Sequence, residues 1–172
     1  MDFSPSVSVL QARMQAWCVN LLSVLVDAYQ LGAVIGKGAI VKTAEADSLT
    51  PDVVFVPGEM SKMVRADALY GAPSLAIDVL HSGVPEHQRA SLRQRYAQAG
   101  VLEYWQIEAD KARPFFYQAN ASSDYDLIPP DKGGLHYSVA LVELSFPVLW
   151  LRRQPDLFTM MAYWGLVDDK QF

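Results

Sequence analysis

Two aspartates in this chain stand where an acid is hard to hold unless it is used. Asp78 lies inside Ile77-Asp78-Val79-Leu80, within the apolar run Ser74 to His81. The length and β-branched content of that run predict a strand buried on both faces, where an unpaired carboxylate is destabilising. Asp52 follows Pro51 and opens Asp52-Val53-Val54-Phe55-Val56. This is a second predicted strand, which proline can introduce because no ladder donor is needed there. Two carboxylates from neighbouring strands can share a Mg²⁺ or Mn²⁺ ion. The backbone carbonyl after the second acid, that of Val79, would be a further oxygen ligand, with water completing the shell. A metal held this way lowers the pKa of a bound water and offsets charge developing on a phosphate, so the chemistry to expect is phosphodiester hydrolysis. Each acid also has a plainer reading: Asp52 as a cap of the turn at Thr50-Pro51, and Asp78 as the partner of a nearby arginine in a buried ion pair.

Periodicity predicts the elements that must position these groups. Leu10, Met14, Trp17, Leu21, Leu22, Val24 and Leu25 recur at helical spacing between about Val7 and Leu31, with Gly32 placed to stop the helix. Ala33 to Thr43 reads as a strand, Ala44 to Pro51 as a turn, and Met60 to Leu69 as a short helix. The strand around Asp78 is followed by a helix over Glu86 to Gly100 and a strand over Val101 to Glu108. A crossover from about Leu75 to Ile107 requires at least one parallel pair, with the helix covering one face of the sheet. Pro114 to Asn120 and Tyr125 to Pro129 suggest a hairpin turning near Ala121 to Ser123. Leu135 to Leu144 suggests an edge strand, and the chain from Phe146 suggests one or two terminal helices.

Bulk properties narrow the setting. The 172 residues fit a single domain spanning 1–172, and 51% apolar with 19% charged residues is the balance of a folded chain. A net charge of −5 opposes an indiscriminate grip on nucleic acid, without excluding a local basic groove. Arg89, Arg93 and Arg95 on the predicted helix are the segment to consider for such a groove, or for a solvated helix face. The single cysteine, Cys18, rules out an internal disulfide and predicts a packing role in a reducing cytoplasm. No targeting segment is visible, and the apolar runs broken at Asn20, Asp27 and Glu143 predict no membrane span. A glycine-rich phosphate loop, Cys/His metal spacing and a serine elbow are all missing, which leaves an unrelated small-molecule enzyme without support.

Pro51-Asp52-Val53-Val54, the strand Leu75 to Leu80, Tyr96-Ala97 with Ala99-Gly100-Val101, and Glu103-Tyr104-Trp105 together resemble the Uma-type putative restriction endonuclease family of the PD-(D/E)xK nuclease superfamily. The resemblance runs from the helix near Leu10 to the apolar segment near Leu149. It implies an α/β, restriction-endonuclease-like fold with a mixed central sheet flanked by helices, a divalent metal (Mg²⁺ or Mn²⁺), and DNA as substrate. There are departures from the family pattern. Asp78 replaces a usual glutamate and His81 a usual serine, and Ser6 to Leu10 contain no histidine. The helix lysine expected four residues before Tyr96 falls at Leu92, which can neither orient water nor stabilise a phosphorane oxygen.

Arg89 and Arg95 lie about sixty degrees either side of Leu92 on a helix and could bring a cation toward the metal, although arginine is a poor proton acceptor. His81 could accept a proton or bind metal, but strand alternation puts it on the face opposite Asp78. His87 is expected on the surface. Tyr104-Trp105 could be a base-stacking platform, but one of the two must face inward, and core packing is the expected role for both and for Tyr96. Two functions follow as expectations: a metal-dependent nuclease, or an inactive relative kept as a binding or dimerisation module. Phe146 to Leu151 and Met160 to Trp164 would suit a homodimer contact.

Overall fold

The computed structural model describes residues 8–44 and 48–168. The first element, α1 (Val9–Tyr29), starts from a capping box in which the Ser8 hydroxyl accepts from the Gln11 amide and the Gln11 side chain accepts from the Ser8 amide. It ends at Gln30, which takes the left-handed conformation (φ 53°), rather than at Gly32. Gly32 serves another need. A Cβ there would stand 2.1 Å from the Val56 carbonyl oxygen, so only glycine lets the first strand lie this close to its neighbour.

The central sheet has six strands in the order β1 (Gly32–Ile35), β3 (Val53–Pro57), β5 (Leu75–Leu80), β6 (Glu103–Glu108), β7 (Arg113–Ala119) and β8 (Tyr125–Leu127). Every pairing is antiparallel except β5 with β6, which α2 (Glu86–Gln98) connects as the predicted crossover. β2 (Val41–Lys42) and β4 (Leu69–Tyr70) form a separate parallel pair, β9 (Leu135–Tyr137) and β10 (Ser145–Pro147) an antiparallel one, and α3 (Trp150–Arg153) and α4 (Leu157–Tyr163) close the chain.

Three expectations change. The strand read over Ala33 to Thr43 breaks at Gly36-Lys37-Gly38, where the left-handed Gly38 (φ +102°) turns the chain out of the sheet. The helix read over Met60 to Leu69 is a 3₁₀ turn, Gly58–Met63, followed by β4. The edge strand read over Leu135 to Leu144 ends at Tyr137, because the buried Glu103 carboxylate captures the Val139 and Ala140 amides at 2.8 and 2.9 Å. The same carboxylate contacts His136 and Ser138 and accepts from the Trp105 indole. The turn read over Ala44 to Pro51 lies partly outside the described residues, as do the start of the first helix at Val7 and part of the histidine-free stretch from Ser6.

Alternation divides the strands between two cores. Val53, Phe55, Ile77, Val79, Trp105 and Ile107 pack beneath α1, whereas Val54, Val56, Ala76 and Tyr104 pack with Tyr96 of α2. Tyr104 and Trp105 are both fully buried, on opposite faces, so they pack rather than form a platform. Cys18 is buried in the α1 core, where burial pushes its thiol pKa up. Despite Asn20 and Asp27, α1 is long and apolar enough to span a bilayer. Here, however, Met14, Trp17, Leu21, Leu22 and Leu25 commit one of its faces to this core.

Candidate functional site

The site follows from strand register. β3 pairs Val53 with Ile77 and Val54 with Ala76, which sets Asp78 on the α2 face with Ala76 and leaves Asp52 just ahead of β3, beside the end of that pairing. Hydrogen bonds fix that junction. The Asp52 amide donates to the Ile77 carbonyl at 3.0 Å, and the Asp52 carboxylate accepts from the Val79 amide at 2.7 Å. Asp52 therefore caps a neighbouring strand rather than its own turn. Asp78 is 6% exposed, and its two oxygens accept from the phenols of Tyr96 (3.2 Å) and Tyr104 (2.8 Å). The expected arginine partner is replaced by these phenols, whose rings stack with centroids 4.3 Å apart. Burial, with the Asp52 charge adding to it, pushes the Asp78 carboxyl up to about 7 against the pull of both phenols. Burial also raises Asp52, opposed by the Val79 amide, the Gln15 side chain and the charge of Lys37.

Four residues at this site carried no signal in the sequence. Gln106 pairs with Asp78 across the parallel strands and is fully buried. Its amide nitrogen donates to the Arg89 carbonyl at 2.9 Å and the Tyr104 hydroxyl at 3.2 Å, but its oxygen has no partner. Gln11 and Gln15 lie one turn apart on α1. Gln11 donates to the Val79 carbonyl at 3.1 Å, and Gln15 reaches Asp52. Lys37 follows β1, in the turn after Ile35, and its charge acts on Asp52. It is exposed and has no ion-pair partner among the described residues. The two carboxylates, the Val79 carbonyl and the unpartnered Gln106 amide oxygen are hard oxygens, the kind Mg²⁺ and Mn²⁺ take. An unpaired buried acceptor is itself destabilising, so the Gln106 oxygen fits a ligand at this point. Among the described residues no third His, Cys, Asp or Glu joins the pair.

The model of a family described as "Uma2: Putative restriction endonuclease" matches residues 4–156. The chain belongs to the Uma2 family. Among solved structures, the crystal structure of "a putative nuclease belonging to DUF820" from Anabaena variabilis superposes with a TM-score of 0.69 at 15% identity, covering 87% of this chain and 84% of that one. That likeness shows the shared restriction-endonuclease-like fold. No curated protein matches the chain.

Within this Uma2 domain, the cations proposed to replace the lysine are engaged elsewhere. The Arg89 guanidinium is buried, paired with Glu108 and Glu86, and lies 4.4 Å from the Phe115 ring centroid. Arg95 donates to the Ser48 carbonyl at 3.1 Å. Arg93 pairs with Glu86 and lies over Tyr117. The three arginines thus form neither a solvated face nor an open basic groove. Leu92 is half-buried and packs into the α2-side core. His81 is exposed, its Nδ1 accepting from the Gly83 amide at 2.9 Å, and His87 is exposed as expected. A helical wheel gives a direction but no partner, and Glu108, which claims Arg89, comes from a strand nineteen residues on.

Proposed function

We propose that this Uma2 protein is a Mg²⁺- or Mn²⁺-dependent nuclease hydrolysing phosphodiester bonds in DNA, with Asp52, Asp78 and the Val79 carbonyl as metal ligands. The observation that supports the reading is the junction of β3 and β5, where the Asp52 carboxylate accepts from the Val79 amide, next in sequence to Asp78, and its charge acts on Asp78. A bound ion would supply a water of lowered pKa and neutralise charge on the phosphate. The chain's own groups do the positioning. Tyr96 and Tyr104 hold the Asp78 carboxylate in one orientation, and Gln11 and Gln15 tie α1 to the Val79 carbonyl and Asp52. Lys37, rather than a residue at position 92, brings a cation to the acids. Arg95, tied to the loop that precedes Asp52, assists at the phosphate, while Arg89 positions Gln106 through its own carbonyl. His81 has no role in this reading. The test is cleavage of single- and double-stranded DNA with Mn²⁺, by the parent and by Asp52→Asn. Activity lost in the variant supports the reading, and an inactive parent ends it.

A second reading, an inactive binding or dimerisation module, is favoured by one observation: both Asp78 oxygens already accept phenolic hydrogen bonds, and Leu92 stands in place of a cation. Under either reading we place the protein in the cytoplasm as a homodimer. The contact would run through Leu149, Leu157 and Tyr163, which stay exposed while Phe146, Leu151 and Met160 enter the core. Light scattering on the purified chain tests the dimer.

A further inference from the structure

An open cleft of about 770 Å³ lies between the start of α1, the turn joining β6 to β7, and α3. Its floor is apolar, formed in part by Met14 and Leu151, but Arg13, Lys111, Arg113 and Arg152 line its walls. Four of the chain's fourteen lysines and arginines therefore gather at one opening, on a molecule whose net charge is −5. One acid, Asp110, also lines the cleft, with its carboxylate accepting from the Ser82 amide (2.8 Å) and hydroxyl (2.5 Å). Arg113 bonds Glu108, but that carboxylate also serves the buried Arg89, so Arg113 has only a share of its charge. Arg13, Lys111 and Arg152 are exposed and have no ion-pair partner among the described residues.

The cleft adjoins the acid pair. The Ala109 amide, in its wall, donates to the Leu80 carbonyl at 2.8 Å, and Gln11, between the cleft residues Leu10 and Arg13, donates to the Val79 carbonyl. Both contacts fall at the carboxyl end of β5, where it runs parallel to β6, and ligands of open α/β sheets bind at that end of the strands.

We infer that this cleft binds the phosphodiester backbone of a nucleic acid, holding a strand so that it runs on toward Asp52 and Asp78. The choice of ligand rests on the nuclease reading, whereas the charge and the site do not. Phosphate contacts from lysine and arginine release counterions and give affinity that falls steeply with salt.

The test is fluorescence anisotropy of a labelled twenty-base-pair duplex with the full chain in EDTA, so that no cleavage intervenes. The parent is expected to bind. Arg13→Glu with Arg152→Glu should weaken binding about tenfold or more and reduce the log–log salt slope by roughly two, about 0.9 for each lost contact. Lys62→Glu with Lys132→Glu makes the same change in net charge at exposed positions elsewhere and should leave the slope unchanged. The inference is overturned if the parent does not bind, if the two double variants behave alike, or if inorganic phosphate competes as well as the duplex does. Duplex binding without cleavage in Mn²⁺ would end the nuclease reading and leave the cleft assignment intact. Cleavage with an unaffected Arg13/Arg152 variant would do the reverse.

Discussion

Asp78→Asn should make the protein more stable at pH 8 while removing the proposed metal site. In the unfolded chain this carboxyl loses its proton near pH 3.9, whereas burial beside Asp52 holds it to about 7 in the fold. Between those values the folded state binds more protons than the unfolded one, so stability falls as pH rises from about 4 to about 7 and is flat above. Roughly three pH units at about 1.4 kcal/mol each give a ceiling of about 4 kcal/mol. Local relaxation and coupling to the Asp52 charge should leave about 2 kcal/mol. Asparagine keeps the shape and one acceptor for the phenols, and the other phenol can turn to accept from the amide. Urea unfolding at pH 4.5, 6 and 8 reads the difference. The variant should gain on the parent with each step and show almost no advantage at pH 4.5. A variant less stable than the parent at pH 8, or an advantage independent of pH, would refute the claim that burial disfavours the charged form of Asp78.

Other outcomes follow from the same contacts. Glu103→Ala removes the carboxylate that gathers His136, Ser138, the Trp105 indole and two loop amides, and should cost about 3 to 5 kcal/mol in urea unfolding at pH 7. Burial opposes that charge, but the donors outweigh it and hold the carboxyl below its ordinary range, so its stabilisation is complete above about pH 4.5 and fades as pH falls. Lys37→Ala should lower Mn²⁺-dependent DNA cleavage about a hundredfold and change stability by less than about 0.5 kcal/mol; unchanged cleavage would remove Lys37 from the site. Leu92→Lys should lose about 1 to 2 kcal/mol of apolar contact and raise cleavage, and a parent-like cleavage rate would deny that position a catalytic role.

The two acids were visible in the sequence because each interrupts or opens an apolar strand, and a buried strand tolerates such a residue only with partners. Their neighbours were not, since strand order and register decide them. Lys37 follows a four-residue strand whose pairing with β3 no local pattern announces. Gln106 looks like any polar residue in a strand until the parallel pairing sets it against Asp78. Gln15 sits on a helix whose apolar stripe hides its inward direction. The Uma2 relation and the crossover were legible because Leu75 to Ile107 carries a strand, helix and strand with contiguous motifs. The supposed edge strand was misread because Glu103, thirty-six residues earlier than Val139, draws its amides away from a sheet.

Calorimetric titration of the parent with Mn²⁺ at pH 7.5, repeated with Asp52→Asn and with Asp78→Asn, bears most directly on the proposed shared metal site. One ion should bind per chain, releasing only a fraction of a proton at this pH and more below about pH 7, because a carboxyl of pKa about 7 must ionise to ligate it, and each single substitution should abolish the heat. A parent that gives no binding heat, or two variants that bind like the parent, would contradict it.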